Sequence, residues 1–169
     1  MLLRDIVEQN HAHFIERAEN WEDSIRQSCK LLIADGTVTE AYPEEIIDCV
    51  KTNGPYIVLM PGFALPHSME NSKNAHGTAI AFMKVKDPVF FDVQKKDPGG
   101  PQAEEVPAAD VPPVKSATVF FTLAAVDSEH HLLNMRKLWK MLTDEALCAD
   151  LLKAESVDDL LELDKKYTK

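Results

Sequence analysis

Two long apolar runs constrain the fold of this chain of 169 residues more than any other feature. Residues 78–85 and 118–126 are rich in β-branched and aromatic side chains, and the shorter run 56–60 has the same character. A strand with one solvent-exposed face alternates polar and apolar residues, whereas a strand covered on both faces is apolar almost throughout. The runs therefore predict central strands of a sheet with helices on both sides.

Helical periodicity precedes these strands. Residues 21–35 place apolar side chains at three- and four-residue spacing, with Asn20 as the candidate N-cap and Gly36 as the stop. A second helix with Thr39 as its predicted cap ends at the TNGP run 52–55. A pair of helices is therefore expected before the first strand.

The C-terminal part is helical in pattern. Helices are predicted at 128–142, 145–153 and 157–167, and Ser156 and Asp159 form a candidate capping box for the last one. With the strands before them, these helices complete the order of elements of an α/β layered domain.

A proline-rich segment separates the last two strands. Residues 92–115 contain five prolines, two glycines and almost no large apolar side chains, so we expect an extended surface insertion in one domain, 1–169. A linker between two domains is the rival interpretation. It is disfavoured because the sequence that follows is too short to fold alone.

Composition excludes several classes of function. The net charge of −10 disfavours nucleic-acid binding, which needs a clustered basic face. No run approaches the about 20 apolar residues of a membrane span, and the N-terminus lacks a signal sequence, so a cytoplasmic protein is expected. The sequence contains no nucleotide-binding loop, CxxC pair or nucleophile elbow, so no cofactor is predicted. The three cysteines are odd in number and widely spaced, and Cys29, Cys49 and Cys148 are interpreted as reduced core residues.

Two of the six histidines lie where a reacting group is expected. His67 follows PGFALP, in which Pro66 restrains the chain just before the imidazole. His131 lies near the third residue of the helix that Ser128 is predicted to cap, close to backbone N–H groups that favour an anion. His11, His13 and His76 match no zinc spacing and are assigned to the surface.

The runs YIVLMPGFALPHS at 56–68 and DSEHHLLNMRKL at 127–138 resemble the enzyme IIA proteins of the mannitol/fructose type, and the first run is most similar to the ascorbate branch. The family pattern has a second histidine with apolar residues one, four and seven positions later. His131 fits that register, and His130 does not. The resemblance covers essentially the whole chain except 92–115.

The resemblance implies a single-domain three-layer α/β sandwich with a mixed β-sheet between helices. It implies a phosphotransferase component in which His67 is phosphorylated by the carrier HPr, and a cysteine of enzyme IIB then receives the phosphoryl group. His131 would stabilise that group. The membrane component enzyme IIC would take part indirectly, in the uptake of ascorbate or a related sugar or polyol.

Further residues are candidates for supporting or contact roles. Lys51 stands sixteen positions before His67, where the family usually has an arginine, but a solvated lysine at a helix end is the alternative. Ser68 and His130 adjoin the two histidines and are further candidates for support. A contact patch for protein partners is predicted around His67 from three apolar neighbours, Phe63, Leu65 and Met69.

The residues alone leave three other functions open. The first is a regulatory protein of the same fold that signals by phosphorylation of His67. The second is a metal-binding module that uses His67, His131 and Glu129. The third is an interaction protein that binds through 92–115. The transported sugar is not encoded in the chain, and a monomer or a weak dimer is expected.

Overall fold

The computed structural model describes residues 2–68, 72–92 and 115–167, which form six helices and four strands. Along the chain the elements are α1 Leu2–Glu8, β1 Ala12–Ile15, α2 Trp21–Ala34, α3 Ala41–Asn53, β2 Gly62–Ala64, β3 Ala79–Phe91, β4 Lys115–Ala124, α4 Ser128–Leu142, α5 Glu145–Lys153 and α6 Val157–Tyr167. No helix in these ranges is both long and apolar enough to cross a membrane.

The four strands form one mixed sheet in the order β1-β3-β4-β2. The long strands β3 and β4 are antiparallel and central, while β1 pairs parallel with β3 and β2 pairs parallel with β4. The two long apolar runs thus form the central strands, as predicted, because both of their faces are covered.

Helices cover both faces of the sheet and give three layers. One apolar cluster joins α2 and α3 to side chains such as Met83 and Phe120. The other joins α1, α4, α5 and α6 to the alternate side chains of the same strands, including Phe82 and Phe121. The predicted α/β three-layer sandwich with a mixed sheet is therefore confirmed.

The long helices agree closely with their predicted ranges, and the caps agree less well. Asn20 caps α2 by accepting a hydrogen bond from the Asp23 N–H, as expected. Thr39 does not cap α3, because its hydroxyl donates to the side chain of Asn74 and the helix begins after Glu40. The side chain of Ser156 accepts from the Asp159 N–H, which confirms the cap of α6.

The predicted strand at 56–60 is wrong. Gly54 and Pro55 begin a tight turn in which the Tyr56 N–H donates to the Gly54 carbonyl and the Val58 N–H to that of Pro55. The strand that leads to His67 is instead the three residues of β2, which begins at Gly62 with φ +89°. A short strand with a positive φ at its start has no periodicity that reveals it.

The surface assignment of the N-terminal histidines is also wrong. His11 is 4% exposed, and its Nε2 contacts a carboxylate oxygen of Asp35. His13 lies in β1 and is half-buried, whereas His76 is exposed as expected. Most of the predicted insertion, 93–114, lies outside the described residues, so it stays a prediction.

Candidate functional site

The sheet topology brings His67 and His131 together. Strands β2 and β4 are parallel neighbours, so their carboxyl ends lie at the same edge of the sheet. His67 follows β2 by three residues, and His131 lies in the first turns of α4, which follows β4. Their imidazole rings pack with centroids 5.5 Å apart. Loops at the carboxyl ends of parallel strands are a recurrent place for binding sites in α/β sheets.

The backbone around His67 is fixed from both sides. The Leu123 N–H of β4 donates to the Pro66 carbonyl at 2.9 Å, and the Tyr56 hydroxyl donates to the His67 carbonyl at 2.7 Å. The Tyr56 ring also meets the imidazole edge-on, with centroids 5.2 Å apart. Pro66 restricts the remaining freedom, so the imidazole is held at a defined position.

The imidazole of His67 has one nitrogen occupied. Its Nδ1 lies 2.6 Å from the carbonyl oxygen of Leu65, which can only accept a hydrogen bond, so Nδ1 carries the proton. Nε2 then has a lone pair, and no hydrogen bond among the described residues uses it. Burial lowers the pKa of His67 most, the nearby His131 lowers it further, and the Leu65 carbonyl opposes both. The ring is therefore neutral and nucleophilic at neutral pH.

His131 enters the site from the start of α4. The helix is capped by Asp127, whose carboxylate accepts from the His130 N–H at 2.8 Å, and not by Ser128 as predicted. His131 is consequently the fourth helical residue, and its own N–H donates to the Asp127 carbonyl. The imidazole of His131, more than the helix amides, is thus the group that α4 presents to His67.

A carboxylate anchors the chain just after His67. Glu45 of α3 accepts hydrogen bonds from the hydroxyl of Ser68, the hydroxyl of Ser72 at 2.9 Å and the side-chain amide of Asn74 at 2.8 Å. Burial raises the pKa of Glu45, but these three donors together outweigh it and lower the pKa below its ordinary value. Glu45 is therefore ionised at neutral pH.

Comparison with protein families shows the family of this chain. The family model of the phosphoenolpyruvate-dependent sugar phosphotransferase system, EIIA 2, matches residues 5–166. The chain belongs to this EIIA family. The family supports a role in phosphotransfer, as the resemblance implied.

The curated relatives of this EIIA include ascorbate-specific proteins. The ascorbate-specific PTS system EIIA component of Shigella boydii serotype 4 is 27% identical over 165 residues, which are 96% of this chain and 95% of the relative. That of Escherichia coli K12 is 26% identical with the same coverage. The chain therefore matches these relatives over nearly their full length.

Solved structures share the fold of this EIIA. A domain described as a PTS IIA from Streptococcus pyogenes M1 GAS superposes with a TM-score of 0.76 at 24% identity, covering 98% of this chain and 95% of that one. The mannitol-specific cryptic enzyme IIA CmtB of Escherichia coli gives 0.74 at 24%, covering 98% and 99%. The mannitol IIA of Escherichia coli, solved in complex with phosphorylated IIB, gives 0.66 at 24%, covering 90% and 92%.

The predicted supporting residues differ in their position relative to His67. Ser68 is 4% exposed and is held by Glu45, directly beside His67. The ring of His130 turns to Asp127, with Nδ1 2.7 Å from the carboxylate. Lys51 lies seven residues after Glu44, on the same side of α3, and its charge helps to lower the pKa of Glu44. Ser68 thus lies beside His67, whereas no hydrogen bond or ion pair in the described part of the chain joins Lys51 to His67.

Two of the three residues of the predicted partner patch, Phe63 and Leu65, are buried. Phe63 and Leu65 are each 1% exposed and belong to the core between the sheet and helices α4 to α6. They face inward because the strand β2 and its continuation alternate into the core. Met69 lies outside the described residues. The two described members of the patch are therefore unable to contact a partner.

The structure adds site residues that the sequence analysis missed. Tyr56 lies within the recognised motif, but its hydrogen bond to the His67 backbone depends on the turn at Pro55. Glu45 carried a weak signal, since it lies one turn after Tyr42 and interrupts the buried side of α3 with a charge. Cys49, one further turn along α3, is half-buried beside the Tyr56 hydroxyl and is not a core residue like Cys29.

A metal site receives no support from the described part of the chain. No group of three or more histidine, cysteine, aspartate and glutamate side chains in these residues is placed to hold a metal ion. In particular, Glu129, His67 and His131 do not form such a group.

Proposed function

We propose that this EIIA is a phosphocarrier in which Nε2 of His67 accepts a phosphoryl group from phosphorylated HPr and passes it to a cysteine of an enzyme IIB. The single observation that carries the proposal is the fixed ring of His67. The Leu65 carbonyl holds the proton on Nδ1, so the lone pair of Nε2 is available beside His131.

The transfer needs no separate base. The phosphorus–nitrogen bond of the donor histidine breaks while the bond from phosphorus to Nε2 of His67 forms, and the proton on Nδ1 stays in place. Phosphoryl transfer is catalysed chiefly by alignment and by donors aimed at the equatorial oxygens. Tyr56 and Leu123 align the nucleophile through the backbone, and His131, whose ring centroid lies 5.5 Å from that of His67, is the side chain proposed to donate to those oxygens.

The acceptor is proposed from the relatives. The mannitol IIA that shares this fold was solved in complex with phosphorylated IIB. An enzyme IIB would receive the phosphoryl group from this EIIA and act together with a membrane enzyme IIC. The ascorbate-specific relatives make ascorbate or a related sugar acid the proposed transported compound. The cytoplasm, where HPr acts, is the proposed location.

Phosphorylation by purified components tests the proposal. The protein is incubated with phosphoenolpyruvate, enzyme I and HPr, and its intact mass and peptides are measured under alkaline conditions that preserve phosphohistidine. One phosphoryl group on His67 is expected, and His67→Ala should abolish it. His76→Ala, which removes an exposed histidine elsewhere, is the matched control and should leave the modification unchanged.

His131 has its own expected outcome. Because His131 does not form the phosphorus–nitrogen bond, His131→Ala should still accept the phosphoryl group, but about 100- to 1,000-fold more slowly, as is typical when one positioned donor is lost. Quenched-flow mixing followed by mass measurement gives the rate of phosphorylation. Transfer at the wild-type rate would show that His131 has no part in it.

The regulatory alternative predicts a different second step. A transport EIIA must lose its phosphoryl group when an enzyme IIB of the ascorbate or mannitol type is added. A purely regulatory protein would be phosphorylated on His67 and keep the group. The same mass measurement after addition of IIB separates the two functions.

A further inference from the structure

We infer that Glu45 is a positioning residue for His67: its carboxylate fixes the backbone that selects the reactive tautomer of the imidazole. This inference rests on the proposed role of His67. It is drawn from the three hydrogen bonds that converge on Glu45 and from the path that links them to the ring.

The contact that selects the tautomer is local and depends on backbone torsions. His67 Nδ1 reaches back to the carbonyl of Leu65, only two residues earlier. The length of this contact therefore depends on the backbone torsions of Pro66 and His67 and on the side-chain torsions of His67. The ring of Pro66 fixes its φ and the Leu123 N–H holds its carbonyl, and Ser68 restrains the backbone of His67 from the other side.

Ser68 is the point at which Glu45 acts. Its side chain is buried at 4% exposure and donates its hydroxyl to the carboxylate, while its N–H lies 3.4 Å from the Tyr42 hydroxyl. That tyrosine donates in turn to the Leu123 carbonyl, and the N–H of Leu123 holds Pro66. The residues before and after His67 are thus tied to the same strand, and Glu45 secures the later one.

The same carboxylate also receives the returning chain. Ser72 and Asn74 donate to it, and Asn74 is fixed further by Thr39, whose N–H and hydroxyl donate to its backbone and side-chain oxygens at 2.9 and 2.8 Å. Glu45 therefore joins the chain just after His67 to the chain at 72–74. Neutral donors alone satisfy it, and within the described residues no ion pair includes it.

Three donors converge on Glu45, so a side chain that only accepts hydrogen bonds suits this geometry best. A carboxylate accepts from several donors at once, whereas the amide of glutamine presents its own N–H groups to one side of the same cluster. Glu45→Gln keeps the size of the side chain but places a donor against donors from Ser68, Ser72 or Asn74. Ser68 should then shift, and the Nδ1 contact with Leu65 should weaken.

The tautomer of His67 is the first measurement. Imidazole ¹⁵N–¹H NMR of the unphosphorylated protein should show the proton on Nδ1 in the wild type and a mixture of the two tautomers in Glu45→Gln. Glu44→Gln is the matched control, because Glu44 is the adjacent, exposed carboxylate that pairs with Arg26. It should retain the wild-type spectrum. An unchanged His67 spectrum in Glu45→Gln would overturn the inference.

The rate of phosphorylation is the second measurement. A misplaced nucleophile lowers kcat and not the affinity for the donor, so Glu45→Gln should lose at least about tenfold in kcat with an unchanged KM for phosphorylated HPr. Ser68→Ala should show the same split, and the double variant should be no slower than Glu45→Gln alone. A loss confined to KM, or additive losses, would refute the positioning role.

The two readouts keep this inference separate from the proposed function. If wild-type protein is not phosphorylated, the phosphocarrier proposal fails, yet the NMR spectra still decide the role of Glu45. If Glu45→Gln does not fold by circular dichroism, Ser68→Ala and Ser72→Ala each remove one donor and carry the test. Wild-type tautomers in both serine variants would then overturn the inference.

Discussion

The hydroxyl of Tyr56 gives a direct test of how tightly His67 must be held. Tyr56→Phe retains the ring that packs edge-on against the imidazole. It removes the hydroxyl that donates to the His67 carbonyl oxygen at 2.7 Å. Burial raises the pKa of Tyr56, as does the neighbouring Cys49, so the hydroxyl stays protonated and able to donate. The substitution therefore removes the hydrogen bond to His67 together with the contact of the hydroxyl with Cys49.

The expected size of the effect follows from the partial burial of this contact. A net hydrogen bond is worth about 1 kcal/mol, and a carbonyl left without its donor adds to that cost, so the free energy of unfolding should fall by about 1–1.5 kcal/mol. With a urea m value of about 2 kcal/mol/M, the unfolding midpoint should fall by about 0.5–0.75 M. Phosphoryl transfer should slow by about three- to tenfold, since the nucleophile loses one of its restraints.

Two assays on the same samples measure these effects. Urea denaturation followed by circular dichroism gives the stability, and quenched-flow phosphorylation by HPr gives the rate. The control is Tyr167→Phe, which removes a tyrosine hydroxyl that donates to Asp150 at 2.7 Å between α6 and α5. It should leave the rate of phosphorylation unchanged. A Tyr56→Phe protein that is destabilised but transfers at the wild-type rate would refute the idea that this hydroxyl aligns His67.

Two further predictions concern charge and backbone strain. Because burial lowers the pKa of His67 below 6.5, the rate of phosphorylation should fall with decreasing pH with a midpoint below 6.5, and a midpoint at 6.5 or above would contradict the shift. The unfolded chain binds this proton more readily, so His67 makes stability decrease as the pH falls through 6.5, and urea titrations of the wild type and His67→Ala should differ in that slope. Gly62→Ala should cost about 1–2 kcal/mol through its φ of +89° and additionally displace Leu152, which lies 2.9 Å from the new methyl group. Gly36→Ala, with φ +80° and open space, should cost less in the same denaturation experiment, and equal losses would show that Leu152 moves away freely.

The elements that could be predicted from sequence are those with repeated local signals. Helices α2, α4, α5 and α6 each carry several turns of apolar periodicity, and the signal adds up over their length. The two central strands were visible because burial on both faces leaves them apolar. Strand β2 was not, since its three residues carry no period and its start depends on a positive φ at Gly62.

The site could be predicted in part for the same reason. His67 and His131 stand in motifs, so each was identified, but their contact depends on the parallel pairing of β2 and β4, which neither motif encodes. The expected surface role of Phe63 failed because its exposure depends on which way a short strand faces. Lys51 was placed by counting back from His67, whereas its direction follows from its angle around α3.

The balance of forces around His67 suits a carrier that must release what it binds. The groups that fix the residue are a carbonyl, a hydroxyl and backbone amides, and within residues 2–68, 72–92 and 115–167 no lysine or arginine is hydrogen-bonded to it. Cationic donors form the strongest bonds to phosphoryl oxygens, so a site rich in them would stabilise the phosphorylated state and slow its discharge. Restraints on the nucleophile itself lower the barrier equally for gain and for loss of the group. By this reasoning, introducing a cation at the rim of the site should lengthen the lifetime of the phosphorylated protein and slow its transfer to IIB.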